Sequence, residues 1–270
     1  MPLLIVATPI GNLADCSPRA KEALTSAELI AAEDTRVCRK LLSALGLEAP
    51  PIKRYSAHTE GQASVSILEA IRAGKRVVLV TDAGTPCVSD PGEVLVRACH
   101  EEGLPVEVIP GPSAVAASIS ASGLPGTPHH FLGFPPRKRG PLKKWLLKNA
   151  SLEGSLVVYE SPKRAVEFSA VLAEALPERQ VCLCREMSKL HEEILSLPAP
   201  RLAENLAGRE RIRGELVFVI GPGEAPQVQH EPIADDRLKS IAQALSTRWG
   251  CSKKEAYQAL LDLEEERTQR

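Results

Sequence analysis

The sequence predicts an α/β protein with two domains, the first on a parallel sheet and the second on a smaller mixed sheet, followed by a small helical tail. Strand-like and helix-like segments alternate through the first half of the chain, as in successive βαβ units. Some strand-like runs, such as Val77 to Val80, are apolar throughout, which is typical of strands buried on both faces. Near Gly123 a stretch rich in glycine and proline interrupts this alternation, and the sequence after it contains more strand-like segments. We therefore expect domains over 1–122 and 123–222, a linker over 223–236 and a helical extension over 237–270.

Turn and cap residues divide the first domain into its elements. Strands are predicted over residues 3–7, 29–32, 52–56, 77–80 and 106–109. Ser17 followed by Pro18 predicts the start of the first helix, and Thr35 is the candidate cap of the second. Glycines at positions 46, 74 and 103 mark helix ends. The helix over 113–122 consists almost entirely of small residues, which allows close packing against the sheet.

Apolar runs and turn residues also divide the second domain and the tail into predicted strands and helices. Strands are predicted over 130–134, 156–159, 181–187, 192–197 and 216–220, with helices over 141–149, 162–176 and 200–206. This mixture is typical of an α+β arrangement with a mixed sheet. Two amphipathic helices are expected over 237–245 and 252–266, and Ser252 with Glu255 forms a capping box for the second.

Composition excludes several classes of protein. The 270 residues carry a net charge of −1, so nucleic acid would have to be bound by a local patch, and aromatic residues make up only 3%, which argues against extensive base stacking. The seven cysteines show no paired CxxC spacing, so we expect no metal site and interpret them as core thiols in a reducing cytosol. The short apolar run at the N-terminus has no basic leader, and no later run is long enough to span a membrane; we expect a cytoplasmic protein.

Small-residue loops follow three of the predicted strands, over residues 8–13, 81–86 and 110–114. The carboxyl ends of parallel strands are where open α/β sheets bind ligands, so the loops predict a small-molecule crevice. Asp90, Pro91 and Glu93 match a capping box, which predicts Asp90 as the N-cap of the next helix. Neither GxxxxGK[ST] nor a GxGxxG word after the first strand is present, which argues against the common nucleotide and dinucleotide sites.

Several longer sequence motifs are more specific indicators of a protein family than the loops alone. In order along the chain they are TPIGNL (8–13), AAEDTR (31–36), DAGTP and SDPG (82–92), PGPSA (110–114), YES (159–161) and RGE (213–215). Together, over about residues 3 to 222, they resemble the ribosomal RNA small-subunit methyltransferase I family of the tetrapyrrole (corrin/porphyrin) methylase superfamily. The superfamily's usual GxGPG word is replaced here by Thr8-Pro9-Ile10-Gly11, which fits the ribosomal branch.

The resemblance implies a tetrapyrrole-methylase-like fold with S-adenosylmethionine bound between the two domains. It further implies 2′-O-methylation of a cytidine ribose in 16S rRNA near the decoding centre, the small ribosomal subunit as partner, and a homodimer. The cofactor-binding positions carried over from the superfamily are Pro9, Asp82, Ala83, Gly84, Thr85, Ser113, Ala114, Tyr159, Met187 and Leu216.

A ribose hydroxyl needs a base or an oxyanion stabiliser before it can attack a methyl group. The candidate site-lining residues at strand ends are Glu33, Asp34, Arg36, His58 and Glu160. Each has a structural alternative: the acidic pair can favour a helix start, Arg36 can pair with Asp34, His58 can be a turn residue, and Glu160 can be a helix-start carboxylate. The sequence does not choose a base among them.

One local basic segment stands out in this near-neutral chain. Arg137, Lys138, Arg139, Lys143 and Lys144 place five cations within eight residues. A solvated loop entering a helix is one interpretation, and contact with RNA phosphates is the other.

Two further functions remain open from sequence. The same crevice could methylate a tetrapyrrole, which turnover of that substrate would decide. A ribosome-assembly factor that binds RNA without catalysis would keep the basic segment but need no cofactor, so cofactor binding separates it from an enzyme.

Overall fold

The first sheet is parallel throughout, as predicted. The computed structural model describes residues 1–223 and 235–268. Five strands, β1 (Leu3–Val6), β2 (Leu29–Ala32), β3 (Ile52–Arg54), β4 (Val77–Val80) and β5 (Val106–Ile109), form this sheet in the order β3-β2-β4-β1-β5. Strands β1 and β4 are fully buried, in keeping with their continuous apolar sequence. Because the strands are parallel, the loops that follow them all emerge at one edge of the sheet.

Five helices follow these strands: α1 (Pro18–Thr25), α2 (Thr35–Ala44), α3 (Glu60–Arg72), α4 (Glu93–Glu101) and α5 (Ala114–Ser122). Leu24 and Leu42 of α1 and α2 belong to the apolar core on one face of the sheet, whereas Ile67 and Leu95 of α3 and α4 belong to the core on the other. Two layers of helices therefore cover the first sheet.

Some predicted helix caps are found and others are wrong. The Ser17 hydroxyl accepts a hydrogen bond from the Ala20 N–H at 3.1 Å, as the N-cap prediction requires. Thr35 is not a cap; it is the first helical residue, and the Asp34 carboxylate caps α2 by accepting the Arg36 N–H at 2.8 Å. A carboxylate one residue earlier reaches the free N–H groups and also suits the positive end of the helix dipole.

The predicted capping box at Asp90 is also wrong. Helix α4 begins at Glu93 with Gly92 as its N-cap, and no side chain closes the cap. Gly92 has a φ of 147°, and a Cβ there would lie 2.5 Å from the Cys87 Sγ. Asp90 lies two residues before this cap, so the local pattern match predicts the wrong role.

The second sheet is mixed, as predicted. It contains β6 (His129–Phe131), β7 (Ser155–Glu160), β8 (Gln180–Arg185), β9 (Glu193–Pro198) and β10 (Leu216–Ile220) in the order β6-β7-β10-β8-β9. Only the β6–β7 pair is parallel. Helices α6 (Arg139–Asn149), α7 (Ala165–Ala175) and α8 (Ala199–Ala207) pack on one face around Phe168 and Phe218, whose ring centroids are 4.8 Å apart.

Helix α5 packs on the opposite face of the second sheet. Val115 shares an apolar core with Val157 and Val219, and the Cys184 Sγ lies 3.9 Å from the Ser118 carbonyl oxygen. The small residues of α5 thus permit close packing, but on the second sheet. Both sheets belong to one compact unit, Met1–Gly223.

The tail is a separate unit. It contains α9 (Asp235–Trp249) and α10 (Lys253–Thr268), and the first helix extends four residues beyond its predicted end at residue 245. The Ser252 hydroxyl accepts the Glu255 N–H at 3.2 Å while the Glu255 carboxylate accepts the Ser252 N–H at 2.9 Å, so the predicted capping box is confirmed. Most of the predicted linker, residues 224–234, lies outside the described residues.

The structure can be compared with two predictions made from composition, one on membrane-spanning segments and one on the cysteines. Over residues 1–223 and 235–268, no helix combines the length and apolar character needed to cross a membrane. The prediction of core thiols holds for five cysteines but is wrong for Cys87, which is exposed, and for Cys251, which is half-buried.

Candidate active site

The loops at the carboxyl edge of the first sheet are held to one another by hydrogen bonds. Thr8 and Gly84 pair through their backbones, with N···O distances of 2.8 and 3.0 Å. The Thr85 hydroxyl donates to the Pro112 carbonyl oxygen at 3.0 Å, which joins the third loop to the second. Gly84 has a φ of 85°, a conformation that glycine adopts without strain. The three predicted loops therefore form one continuous surface.

A cavity of about 440 Å³ lies between this surface and the second sheet, within the range of small-molecule sites. We call its two sides the first wall and the second wall. The first wall comes from the loops of the first sheet and consists of Ile10, Glu33, Asp82, Ala83, Gly84, Thr85, Val88, Ser89, Asp90, Ser113 and Ala114. The second wall comes from the second sheet and consists of Phe134, Tyr159, Glu160, Ser161, Pro162, Gly214, Glu215, Leu216 and Val217.

Most of the residues predicted to bind the cofactor lie around this cavity. They are Asp82, Ala83, Gly84, Thr85, Ser113, Ala114, Tyr159 and Leu216. Pro9 and Met187 do not line it. Met187 lines an adjoining cavity of about 490 Å³, and Ile10 and Ser113 border both cavities.

Three carboxylates of the cavity are oriented by specific donors. The Thr81 hydroxyl donates to Glu33 Oε2 at 2.9 Å, and the Asp34 N–H donates to Asp82 Oδ1 at 3.1 Å. The Glu160 side chain is almost fully buried and accepts the Ser161 N–H at 2.7 Å. Glu33 and Glu160 therefore line the cavity and face it from opposite walls.

The environment of these groups changes their proton affinity. Burial raises the pKa of the Asp82 and Glu160 carboxyls. Burial, together with the Glu33 charge, raises the pKa of Asp90 to about 6, and burial raises the pKa of Tyr159 to about 12. A cavity with several partly desolvated carboxyls is suited to a cationic ligand, since each positive charge that enters offsets their mutual repulsion.

The other predicted site-lining residues are not brought into the cavity. Arg36 forms an ion pair with Asp34 at 2.6 Å, and its side chain is 82% exposed. This is the pairing that the sequence left open, and it holds the pKa of the Asp34 carboxyl well below its usual range. His58 lies in an exposed turn outside the cavity lining, as its structural alternative predicts.

Sequence reasoning missed several cavity residues. The sequence pattern predicts Asp90 as a helix cap and does not mark Phe134 or Glu215 as site residues. Phe134 is 63% exposed and approaches the Tyr159 ring with centroids 5.6 Å apart. Glu215 is held by Lys189 at 3.0 Å. The RGE word contained a signal for Glu215, but its position opposite the first wall depends on the pairing of β10 with β7.

The basic segment divides into two groups. Helix α6 begins at Arg139, two residues before its predicted start, and both Arg139 and Lys143 are paired with Glu174 at 2.6 and 2.5 Å. The other three cations, Arg137, Lys138 and Lys144, are exposed. Arg164 anchors the start of the segment, because its guanidinium donates to the Pro136 carbonyl oxygen at 2.7 Å and lies 3.2 Å from Glu160 in the cavity.

Comparison with known proteins identifies the family. The model of the tetrapyrrole (corrin/porphyrin) methylases matches residues 2–203. A protein named ribosomal RNA small subunit methyltransferase I from Mesorhizobium japonicum is 38% identical, over 97% of this chain and 92% of its own length. The chain belongs to the ribosomal RNA small subunit methyltransferase I family of tetrapyrrole methylases. Proteins of the same name from Mycobacterium tuberculosis and a Hydrogenobaculum species are 37% and 40% identical, over 93% and 82% of this chain and 87% and 95% of their own lengths.

Solved structures show the same fold. The methyltransferase CobJ matches with a TM-score of 0.60 at 21% identity, over 83% of this chain and 95% of its own. A uroporphyrin-III C-methyl transferase from Thermus thermophilus, complexed with S-adenyl homocysteine, matches with a TM-score of 0.57 at 20% identity, over 82% and 97% of the two chains.

The methyl donor of this tetrapyrrole methylase is S-adenosylmethionine, and the cavity fits it. Its volume suits a ligand of this size. The carboxylates that line it complement the donor's sulfonium and ammonium charges, and Ala83 and Gly84 leave room for close backbone contact.

Proposed function

We propose that this protein transfers a methyl group from S-adenosylmethionine to the ribose 2′-hydroxyl of a cytidine in 16S rRNA, near the decoding centre of the small ribosomal subunit. The curated relatives, which are similar over nearly the whole chain, carry the name of an rRNA methyltransferase. The observation that carries the proposal is the cavity itself, where a surface of small-residue loops faces an acidic and aromatic second wall. A substrate of this kind would place the enzyme in the cytoplasm.

The residues of the cavity have separate tasks in this reaction. When bound, S-adenosylmethionine supplies an electrophilic methyl group on a positively charged sulfur. Asp82 and Glu160 attract positive charge, and Tyr159 adds the face or edge of an aromatic ring. Walls on two sides exclude water and fix the approach of the attacking oxygen, and such positioning supplies much of the acceleration in a displacement of this type.

Exposed cations next to the cavity support an RNA substrate. Arg137, the first residue of the basic segment, lies three positions after Phe134 of the second wall. Arg164 connects this stretch to Glu160, so a phosphate held by the segment would lie close to the cavity. Long basic side chains at that place would set the register of an RNA strand whose target ribose enters the cavity.

A methyl-transfer assay tests the proposal. Purified protein and labelled S-adenosylmethionine are incubated with small ribosomal subunits that lack the modification, and the labelled nucleotide is mapped by mass spectrometry. We expect 2′-O-methylcytidine in the decoding region. Methylation of a tetrapyrrole instead would support the second enzymatic function, and failure to bind the donor would leave the RNA-binding assembly factor.

We also propose a homodimer, which the family resemblance implies. Light scattering of the purified chain gives the mass directly, and twice the chain mass at micromolar concentration is the expected result.

A further inference from the structure

The segment between β4 and α4, which includes Asp90 at the cavity, has a strained backbone just before that residue. Cys87 and Ser89 adopt positive φ values of 68° and 66°, which cost energy for residues other than glycine. Gly92 has no room for a side chain, because its Cβ would meet the Cys87 Sγ at 2.5 Å. With the backbone in this conformation, Asp90 lines the cavity, and the start of α4 has no side-chain cap.

Burial and two negatively charged neighbours favour the protonated form of the Asp90 carboxyl. Glu33 and Asp82 face it with negative charge, and the Tyr159 hydroxyl and Cys87 thiol are near enough to respond to its charge. The Thr81 hydroxyl interacts with Asp90 but also donates to Glu33 at 2.9 Å. A hydroxyl has one proton to donate, so it serves one of the two carboxylates at a time.

The remaining carboxylates of the cavity are engaged by stronger donors. Asp82 accepts the Asp34 N–H, Glu160 accepts the Ser161 N–H and faces Arg164, and Glu215 is paired with Lys189. Backbone N–H groups and cations stabilise the ionised form and so make a carboxylate a poorer proton acceptor. Glu33 is oriented by the hydroxyl that it shares with Asp90.

We propose that Asp90 is the general base of the methyl transfer, the group that accepts the proton of the ribose 2′-hydroxyl. The 2′-oxygen forms a bond to the methyl carbon as the bond from that carbon to sulfur breaks, the bonding electron pair stays on sulfur, and the proton passes to the Asp90 carboxylate. The products are a 2′-O-methyl ribose, a neutral thioether and a protonated Asp90, which releases its proton to water. This inference rests on the proposed function.

Single-turnover methyl transfer to small ribosomal subunits, measured from pH 5 to 8.5, tests the assignment. For the wild type we expect the rate to rise with pH through a midpoint near the Asp90 pKa of about 6, since only the ionised carboxylate accepts a proton. Asp90→Asn should lower the rate at pH 7.5 by about 100-fold or more and abolish that rise. Its affinity for S-adenosylmethionine, measured by calorimetry, should fall by no more than about fivefold, far less than the rate, because Asp82 and Glu160 still face the donor's positive charges.

A second variant gives a readout that a structural role would not produce. Glu33→Gln removes a negative charge that faces Asp90, so the pKa of Asp90 should fall and the midpoint of the rate should move to lower pH. The inference is overturned if Asp90→Asn keeps the wild-type rate, if its loss lies wholly in donor affinity, or if Glu33→Gln leaves the midpoint in place. An inactive wild type would overturn the proposed function as well, so the two failures are distinguishable.

Discussion

The two walls of the cavity are built by different means. The first wall consists largely of small residues in loops that are fixed by backbone hydrogen bonds, such as the pairing of Thr8 with Gly84. The second wall includes the aromatic side chains of Phe134 and Tyr159, whose ring centroids are 5.6 Å apart, and Phe131, outside the lining, packs edge-on against Tyr159 at 4.8 Å. We expect both walls to contact the methyl donor, the first through small-residue loops and the second through aromatic and acidic side chains, and the basic segment beside the second wall to contact the RNA.

The largest effect should follow from filling the space in front of the first wall. Ser113 borders both cavities and its side chain does not cap α5, so Ser113→Trp blocks the site without removing a cap. We expect the affinity for S-adenosylmethionine to fall by about 100-fold, which corresponds to nearly 3 kcal/mol. Calorimetric titration measures this, with Ser120→Trp, at an exposed position of the same helix, as the matched control. Equal donor affinity in the two variants would contradict the role of the first wall.

A second test separates the basic segment from the cavity. Replacing the exposed cations Arg137, Lys138 and Lys144 by alanine should weaken binding to small subunits by roughly tenfold or more. It should also reduce the slope of log affinity against log salt by about 2, because fewer phosphates are neutralised.

The control for that test is the double variant Arg139→Ala with Lys143→Ala. These two cations are paired with Glu174, so their loss should change RNA binding less. Donor affinity should be unchanged in both variants. If the paired cations mattered more than the exposed ones, the RNA contact would lie on another surface.

The pH dependence of stability should have opposite signs on the two sheets. In the second sheet, Arg209 and Arg185 hold the pKa of Glu193 to about 2, below its unfolded value. This group therefore contributes stability above the unfolded pKa that is lost as pH falls toward 2, and Glu193→Gln should lower the free energy of unfolding at pH 7 by about 2 kcal/mol.

Asp90 at the first wall should behave in the opposite way. Its folded pKa of about 6 lies above the unfolded value, so the ionised form costs stability above pH 6 and the cost disappears as pH falls toward 4. Asp90→Asn should raise the free energy of unfolding at pH 7 by about 1 kcal/mol. Denaturant titrations at pH 7 and pH 4.5 check the Asp90 variant, and a further titration at pH 2.5 checks the Glu193 variant; a destabilised Asp90→Asn would show that the carboxylate is structural.

The smallest expected effect is the difference in donor affinity between alanine substitutions at two glycines with similar backbone conformations. Gly84 in the first wall and Gly74 after α3 have φ values of 85° and 79°, and an added Cβ at Gly74 meets nothing within 4 Å. Alanine at either place should cost about 1 kcal/mol of stability because the backbone disfavours a side chain. Only Gly84→Ala should also weaken donor binding, since its Cβ approaches Ile10 at 3.4 Å in the wall itself. A donor affinity reduced equally in both would mean that the effect is global.

The sequence predicted the first wall better than the second for a physical reason. The first wall is formed by continuous loops, so residues such as Ala83 and Ser113 are marked by their position after a strand. The second wall depends on tertiary contacts between distant segments: Phe134 meets Tyr159 only after β6 and β7 have paired, and Glu215 faces the cavity because β10 lies beside β7. The role of Asp90 is predicted wrongly because a capping-box pattern is local, whereas the helix starts only at Glu93, after a turn at Gly92 that leaves no room for a side chain.

The most direct test of the account is hydrogen exchange of the full chain with and without S-adenosylmethionine, read by mass spectrometry. We predict slower exchange on binding in peptides from both walls, over residues 8–13, 81–92 and 110–116 and over 157–164 and 213–218. Peptides of α8 and of the outer strand β9 should be unchanged, and Ser113→Trp should show little protection at a donor concentration that just saturates the wild type. Protection confined to one wall, or located away from both, would contradict a donor site between the two sheets.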